Sequence, residues 1–288
     1  MNLVLGGAQI GNKYGLYNNN NFSTKEFAKF EKLILSSKIK YIDTAQSYGK
    51  SEKIIGNSKL KNLKIITKIN FTFNEKNKIE KNILLQVSKS LKDLNQKDIY
   101  AILIHDHKNL INKNGKILIK VLTNLKKRKI VKKIGVSLYS PSDLDKIWKF
   151  WKPDIIQIPF NVLDQRILRN GWINKLKKNK IKLFIRSCFL QGILINNFQK
   201  KIFMSTKSKN ALNKFFKWCE KNKINKVKAC LDFIRQFEKI DFFVIGFDDR
   251  VQLMQVLNLL KLKKINIPKR FIYNDLNLID PRRWKKII

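Results

Sequence analysis

The chain has 288 residues, with 61 Lys and Arg against 21 Asp and Glu, a formal net charge of +40. Hydrophobic residues make up 44% and aromatics 11%, enough to close a large core, which excludes a wholly disordered chain. No apolar run nears the ~20 residues that span a bilayer, and Met1 to Gly6 lacks the basic and long apolar stretches of a secretory signal. Cys188, Cys219 and Cys230 lie far apart, which argues against a disulfide framework and fits a reducing compartment. With His105 and His107 as the two histidines, no metal site is expected, and a cytoplasmic protein is the working expectation. The charge comes from 52 Lys and just 9 Arg, alongside 31 Asn and 40 Ile. Lys, Asn and Ile share AT-rich codons, whereas nucleic-acid binders favour the planar fork of Arg. We therefore read the basicity as base composition, with no specific nucleic-acid partner.

Short apolar runs recur along the chain. They are Leu3–Leu5, Lys40–Ile42, Lys64–Thr67, Tyr100–Ile104, Ile134–Val136, Asp154–Ile158, Lys182–Ile185 and Phe242–Ile245. Near-continuous hydrophobicity predicts parallel strands covered on both faces. Between them lie amphipathic stretches. The first, about 24–37, opens with the capping box Ser23-Thr24-Lys25-Glu26. Another opens Ser140-Pro141-Ser142-Asp143, a cap followed by proline at the first helical position. In 210–222, Leu212, Phe215, Phe216 and Cys219 fall on one helical face. The interval before the last strand has room for two helices. Eight alternating strands and helices predict a closed (β/α)8 TIM barrel, with an open doubly wound sheet as the rival. One domain over 1–288 is expected, ending in a tail at 261–288.

Gly49-Lys50-Ser51 follows a strand and precedes a helix, but a P-loop needs glycine where Thr44 stands. The glycines of Gly6-Gly7-Ala8-Gln9-Ile10-Gly11 miss the dinucleotide-turn spacing. The informative residues close three consecutive strands: Asp43 with Tyr48 just beyond it, then Lys68, then His105. In a barrel all four face the C-terminal mouth, where such folds do chemistry. Together they suit proton donation to a carbonyl. A phenol titrates near ~10, so Lys68 is expected to lower Tyr48, with Asp43 holding Lys68 charged. His105 would polarise the carbonyl while Tyr48 donates its proton.

These residues and their context resemble the aldo-keto reductase superfamily. The likeness rests on Asp43-Thr44-Ala45 with Tyr48-Gly49, Thr67-Lys68, Ile104-His105, Gly135-Val136-Ser137, Ile156 to Asn161, and Ile245-Gly246 with Gln252-Leu253. It implies a (β/α)8 barrel, NADPH or NADH without metal or flavin, and an Asp43, Tyr48, Lys68, His105 tetrad. It also implies a small-molecule carbonyl substrate, and Ser137 and Gln157 at the nicotinamide carboxamide. The wider cofactor-binding set then comprises Gly7, Arg186, Ser187, Gly246, Asp248 and Gln252. Leu5 to Gly11, Asn161 to Arg166 and Ile279 to Trp284 resemble bacterial members associated with surface-polysaccharide or nucleotide-sugar biosynthesis, which implies a keto-sugar substrate.

Three features depart from the family. Leu138 stands where asparagine is frequent, and Arg186 lies in the stretch that elsewhere places a tyrosine under the nicotinamide. Arg186 would stack on that ring or reach a phosphate. After the last strand, Asp248-Asp249-Arg250 leaves NADPH no more than a slight preference over NADH. The rival function is a non-catalytic nucleotide-binding barrel acting as a regulatory or interaction subunit. Finally, the densest lysine runs bridge helix ends to strand starts, which predicts a basic face opposite the mouth that adsorbs polyanions non-specifically.

Overall fold

Eight parallel strands close on one another in chain order: β1 (Asn2–Gly6), β2 (Tyr41–Asp43), β3 (Lys64–Ile69), β4 (Ile99–Ile104), β5 (Val131–Ser137), β6 (Ile155–Pro159), β7 (Lys182–Arg186) and β8 (Phe242–Gly246). This computed structural model describes residues 2–11, 24–71, 78–169, 171–196 and 204–284. The capping box that opens at Ser23 begins outside them. Closure is explicit in the register, because β1 pairs with β2 on one side and, from Asn2↔Phe242 to Gly6↔Gly246, with β8 on the other. An open doubly wound sheet would leave the first and last strands unpaired, so that rival is excluded.

The helices follow in order: α1 (Thr24–Leu35), α2 (Ser51–Gly56), α3 (Ile79–Asp93), α4 (Lys108–Ile111), α5 (Gly115–Lys127) and α6 (Ser142–Trp148). Then come α7 (Arg166–Arg169), α8 (Trp172–Lys178), α9 (Thr206–Lys221), α10 (Lys226–Arg235), α11 (Arg250–Lys261) and α12 (Leu276–Ile279). The long last interval holds two helices, α9 and α10. Leu212, Phe215, Phe216 and Cys219 are the buried face of α9, as their spacing predicts. At α6, Ser140 Oγ accepts from the Ser142 amide at 3.3 Å and Pro141 already has helical φ −60 and ψ −26, so the cap and the proline occupy the expected places. Among the described residues, no helix is long and apolar enough to cross a membrane.

Period-two alternation sorts each strand into an outward and an inward set. Outward residues such as Leu5, Ile42, Ile65, Ile102, Ile156 and Ile185 join the core between sheet and helices. Inward residues Val4, Ile66, Leu103, Ile155, Phe184 and Phe242 form a second cluster inside the barrel. It is closed by rings: Phe184 stacks on Phe242 at 4.2 Å, and Tyr41 meets Phe242 edge-on at 4.8 Å. Gly135 belongs to this layer because a Cβ there would fall 2.6 Å from Leu103 Cδ2; leucine fills the space that glycine leaves.

The basic runs do fall at helix-to-strand junctions beneath the barrel, but the acids there partly neutralise them. Lys126 and Lys133 pair with Asp154, Lys132 with Asp98, and Lys182 with Asp241. Asp154 and Asp241 also accept from the Ile134 and Leu183 amides, so these acids anchor strand starts. The tail at 261–288 is described to residue 284, and that part packs back on the barrel. Its residues return to the mouth: Tyr273 N donates to Leu163 O at 3.0 Å and Gln165 Nε2 donates to Lys269 O at 2.9 Å, while Trp284 Nε1 donates to Leu278 O at 2.9 Å within the tail.

Candidate active site

On seven of the eight strands the inward position two residues beyond the apolar layer changes to polar side chains or bare glycine. Val4, Tyr41, Ile66, Leu103, Ile155, Phe184 and Val244 are followed at i+2 by Gly6, Asp43, Lys68, His105, Gln157, Arg186 and Gly246. Alternation alone therefore delivers these side chains to the C-terminal mouth.

Asp43 and Lys68 are buried together, with Lys68 Nζ 2.5 Å from Asp43 Oδ1. Lys68 also donates to Thr44 O at 2.8 Å, and Gln157 Nε2 donates to Asp43 Oδ2 at 2.8 Å. Each charge is thus hydrogen-bonded as well as paired, which is what makes a buried pair tolerable. Tyr48 reaches the site from the loop after β2. Its amide bonds back to Ala45 O at 3.0 Å, and Gly49 follows in the left-handed region at φ 58. The turn carries the ring over Lys68, whose Nζ lies 4.8 Å from the ring centroid. The His105 ring sits edge-on to Tyr48 with centroids 6.0 Å apart, and its Nδ1 is 3.3 Å from Ser47 Oγ.

Burial holds the Tyr48 phenol above its ordinary range; Asp43 and Tyr139 add to this and Arg186 opposes it. Burial outweighs any help from the Lys68 ammonium beneath the ring, so Tyr48 stays a protonated phenol. Burial, then Lys68 and Arg186, push His105 down to about 3 against the opposing pull of Asp106, so its imidazole is neutral.

A cavity of about 780 Å³ opens beside Tyr48 and Asp43. It runs over Gly6 and Gly246 to the outer side of β8, where α10 and α11 supply Asn225, Lys226, Gln252 and Gln255. Arg186, Ser187 and Asp248 also line it. Ser137 and Gln157 are buried at 2% and 0% exposure, Gln157 beneath Asp43. Gly7 lies off the wall: a Cβ there would meet Asp43 O and Ser51 Oγ, so Gly6 is the glycine that faces the cavity. Arg186 donates to Leu138 O at 3.0 Å and stacks on Tyr139 at 4.2 Å, while Arg282 from the tail covers Tyr139 at 3.7 Å. Its flat face is taken by a tyrosine of its own chain. Gln9, Tyr139, Lys226 and Gln255 escaped the sequence reading, although the i, i+3, i+4 spacing of Gln252, Gln255 and Val256 marks one face of α11.

The walls fit a nicotinamide dinucleotide. Four buried side-chain oxygens lack a hydrogen-bond partner among the described residues, and three, Gln9 Oε1, Gln157 Oε1 and Asp248 Oδ1, belong to this site. Such oxygens await donors. Gly6 and Gly246 pair across β1 and β8, and a Cβ on Gly246 would overlap Gln9, so the floor between them is bare backbone.

Known structures share this architecture. An aldo-keto reductase from Bacillus halodurans, in its holo form, superposes with a TM-score of 0.75 at 15% identity, covering 92% of this chain and 88% of that one. The glycerol dehydrogenase of Gluconobacter oxydans gives 0.70 at 19% identity, covering 92% and 87%. Among curated proteins no sequence matches significantly. The aldo/keto reductase family model matches residues 2–268, across all eight strands and the cavity they frame, so this NAD(P)-dependent oxidoreductase belongs to the aldo/keto reductase family.

Proposed function

We propose that the chain reduces a small polar carbonyl compound with NAD(P)H, with Tyr48 as proton donor and Asp43, Lys68 and His105 completing the catalytic group. The observation that carries this reading is a protonated phenol at the cavity wall, between a buried ammonium and a neutral imidazole. Bound nicotinamide supplies the hydride. Gln157 Oε1 and Ser137 would take its carboxamide, and Ser187, Gly6 and Gly246 would border the rest.

The chain's own residues handle the oxygen. Tyr48 Oη gives its proton to the oxygen as negative charge builds there. The phenolate left behind is stabilised by Lys68, 4.8 Å from the ring centroid. Asp43 fixes the ammonium and Gln157 fixes Asp43, so little rearranges during the step. In the tautomer whose Nδ1 accepts from the Ser47 hydroxyl, neutral His105 carries its proton on Nε2 and donates it to the carbonyl as a hydrogen bond.

We further infer a cytoplasmic enzyme acting on a keto-sugar, in line with the sequence likeness to polysaccharide-associated members. Arg186, with no carboxylate partner among the described residues, gives the cavity a cationic wall that suits a polar or anionic substrate. A non-catalytic barrel finds no support. The test is NAD(P)H oxidation by purified protein across a carbonyl panel that includes keto-sugars. Turnover should need no added metal; cofactor binding without turnover of any panel member would overturn the substrate assignment.

A further inference from the structure

Helix ends meet strand starts at the end of the barrel opposite the cavity, and the chain there is both basic and aromatic. The seven helix-to-strand junctions hold eleven Lys and Arg against four acids. Three of those acids, Asp98, Asp154 and Asp241, pair with lysines of the flanking helices and strands, so the junction lysines keep their charge. Charge alone would give unselective adsorption of polyanions. The apolar residues set among the lysines narrow the choice of partner.

Between α6 and β6 the chain reads Lys149-Phe150-Trp151-Lys152-Pro153-Asp154. Asp154 N donates to Ile134 O at 2.8 Å and Asp154 O accepts from Lys182 N at 2.9 Å, which pins the segment beside the starts of β5 and β7. The amides of Phe150 and Trp151 both bond back to Ile147 O, at 3.1 and 2.9 Å. This ordered turn leaves the Phe150 ring 43% exposed. Trp148, just before it, is held edge-on against the buried Trp172 at 5.2 Å. The ammonium groups of Lys152 and Lys175 lie 5.5 and 4.8 Å from the Trp148 ring centroid. The pattern recurs at the same end of the barrel. Leu35, the last residue of α1, and Leu262, just past α11, are 50% and 51% exposed, flanked by Lys38, Lys40, Lys261 and Lys263.

A partner for this face must present negative charge with apolar matter close behind it. An anionic bilayer does both: phosphates lie at its surface and acyl chains just below, and indole rings favour the boundary. Lysine stems can lie along the apolar layer while their ammonium groups stay among the phosphates. Nucleic acid fits less well, because the Trp148 ring that would stack a base already holds two lysines. We propose that this end of the barrel docks on membranes bearing anionic phospholipid. Phe150 and Trp151 enter the headgroup layer, Lys149, Lys152 and Lys175 meet its phosphates, and the cavity mouth faces the solution. The docking is independent of the reaction assigned above.

The test is co-sedimentation with vesicles at about 0.15 M salt. Wild type should bind phosphatidylcholine vesicles containing about one-third phosphatidylglycerol and ignore phosphatidylcholine alone. Reversing Lys149, Lys152 and Lys175 together to Glu should weaken binding about 100-fold or more, at about fivefold for each lysine brought to the surface. Reversing Lys207, Lys214 and Lys217 to Glu changes the net charge equally on α9, whose Phe216 meets the cavity-lining Lys226. That control should cost less than about tenfold, because charges remote from the contact are screened. Phe150→Ser leaves every charge in place and should weaken binding about 10-fold with Tm near wild type. Phe150→Trp should bind as wild type does, with its added fluorescence quenched by phospholipid brominated along the acyl chain. Equal losses from the two reversals would reduce the effect to net charge and overturn the proposal. Full binding by Phe150→Ser, an unquenched Phe150→Trp, or tighter binding to single-stranded RNA than to vesicles would overturn it as well. Failure of the wild type to bind the anionic vesicles would overturn it without any variant.

Discussion

Two adjacent inward layers of the same barrel do opposite work. The lower layer, with Phe184, Phe242 and Ile155, is dry, apolar and closed by stacked rings. The upper layer, one alternation further along the same strands, holds Asp43, Lys68, Gln157 and Arg186, hydrogen-bonded or ion-paired. A shift of two residues along a strand, ~6.6 Å, separates a stabilising plug from a reaction chamber. The plug supplies the rigidity that lets the upper layer bury a charged pair, and the chamber spends some of that stability on polar burial.

Substitutions in each layer should therefore separate cleanly. The largest effect is expected from Tyr48→Phe, which should lower kcat about 10²- to 10⁴-fold while Tm and cofactor affinity hold; full turnover by this variant would remove Tyr48 from the mechanism. One layer down, Phe184→Ala should cost about 3–5 kcal/mol in chemical denaturation. Its kcat, measured well below the lowered Tm, should stay near wild type, and a kinetic loss matching Tyr48→Phe would dissolve the distinction between layers.

A smaller effect follows from His105, which is held down to about 3 in the fold against 6.5 when exposed. Below pH 6.5 the unfolded chain takes up a proton that the folded chain refuses, so stability falls as pH falls, until the folded group itself titrates. Between pH 7 and 5 this contribution is about 2 kcal/mol, and His105→Gln should flatten the slope in urea titrations at the two pH values. An unchanged slope would mean His105 titrates freely. The smallest effect should come from the mouth's rim: Arg282→Lys takes the flat guanidinium off Tyr139 but keeps a cation on the buried Asp280, and is expected to cost about 1 kcal/mol or less. Its cleaner readout is a changed KM with kcat retained.

Much of this contrast is legible in the sequence. Eight strands stand out because Tyr100–Ile104 and Asp154–Ile158 are nearly all apolar, as strands covered on both faces must be. Asp43, Lys68 and His105 stand out as polar residues closing such runs. What does not show is anything set by one residue of register or by distant partners. Gly6 and Gly7 are indistinguishable as letters, yet adjacent positions face opposite ways. That burial holds Tyr48 protonated while Asp43 pairs with Lys68 depends on packing between residues 25 apart in the chain. The return of the tail to Tyr139, and the capture of Lys126 by Asp154, likewise join segments that no local pattern connects. The lower face accordingly holds part of its lysine charge in ion pairs that the lysine runs do not reveal.

The seam between β1 and β8 also has a consequence in time. Asn2 to Gly6 find their five partners, Phe242 to Gly246, almost at the other end of the chain. Ribosomes add about 5–20 residues per second, so the first strand is made roughly 12–50 s before the last one. Throughout that interval Leu3, Val4 and Leu5 present an apolar strand edge with one side open. Because loop closure over such a span comes late in folding, the newborn protein passes through a long period when its first strand is exposed to unwanted pairing, and chaperone demand should be set by that delay more than by the stability of the finished barrel.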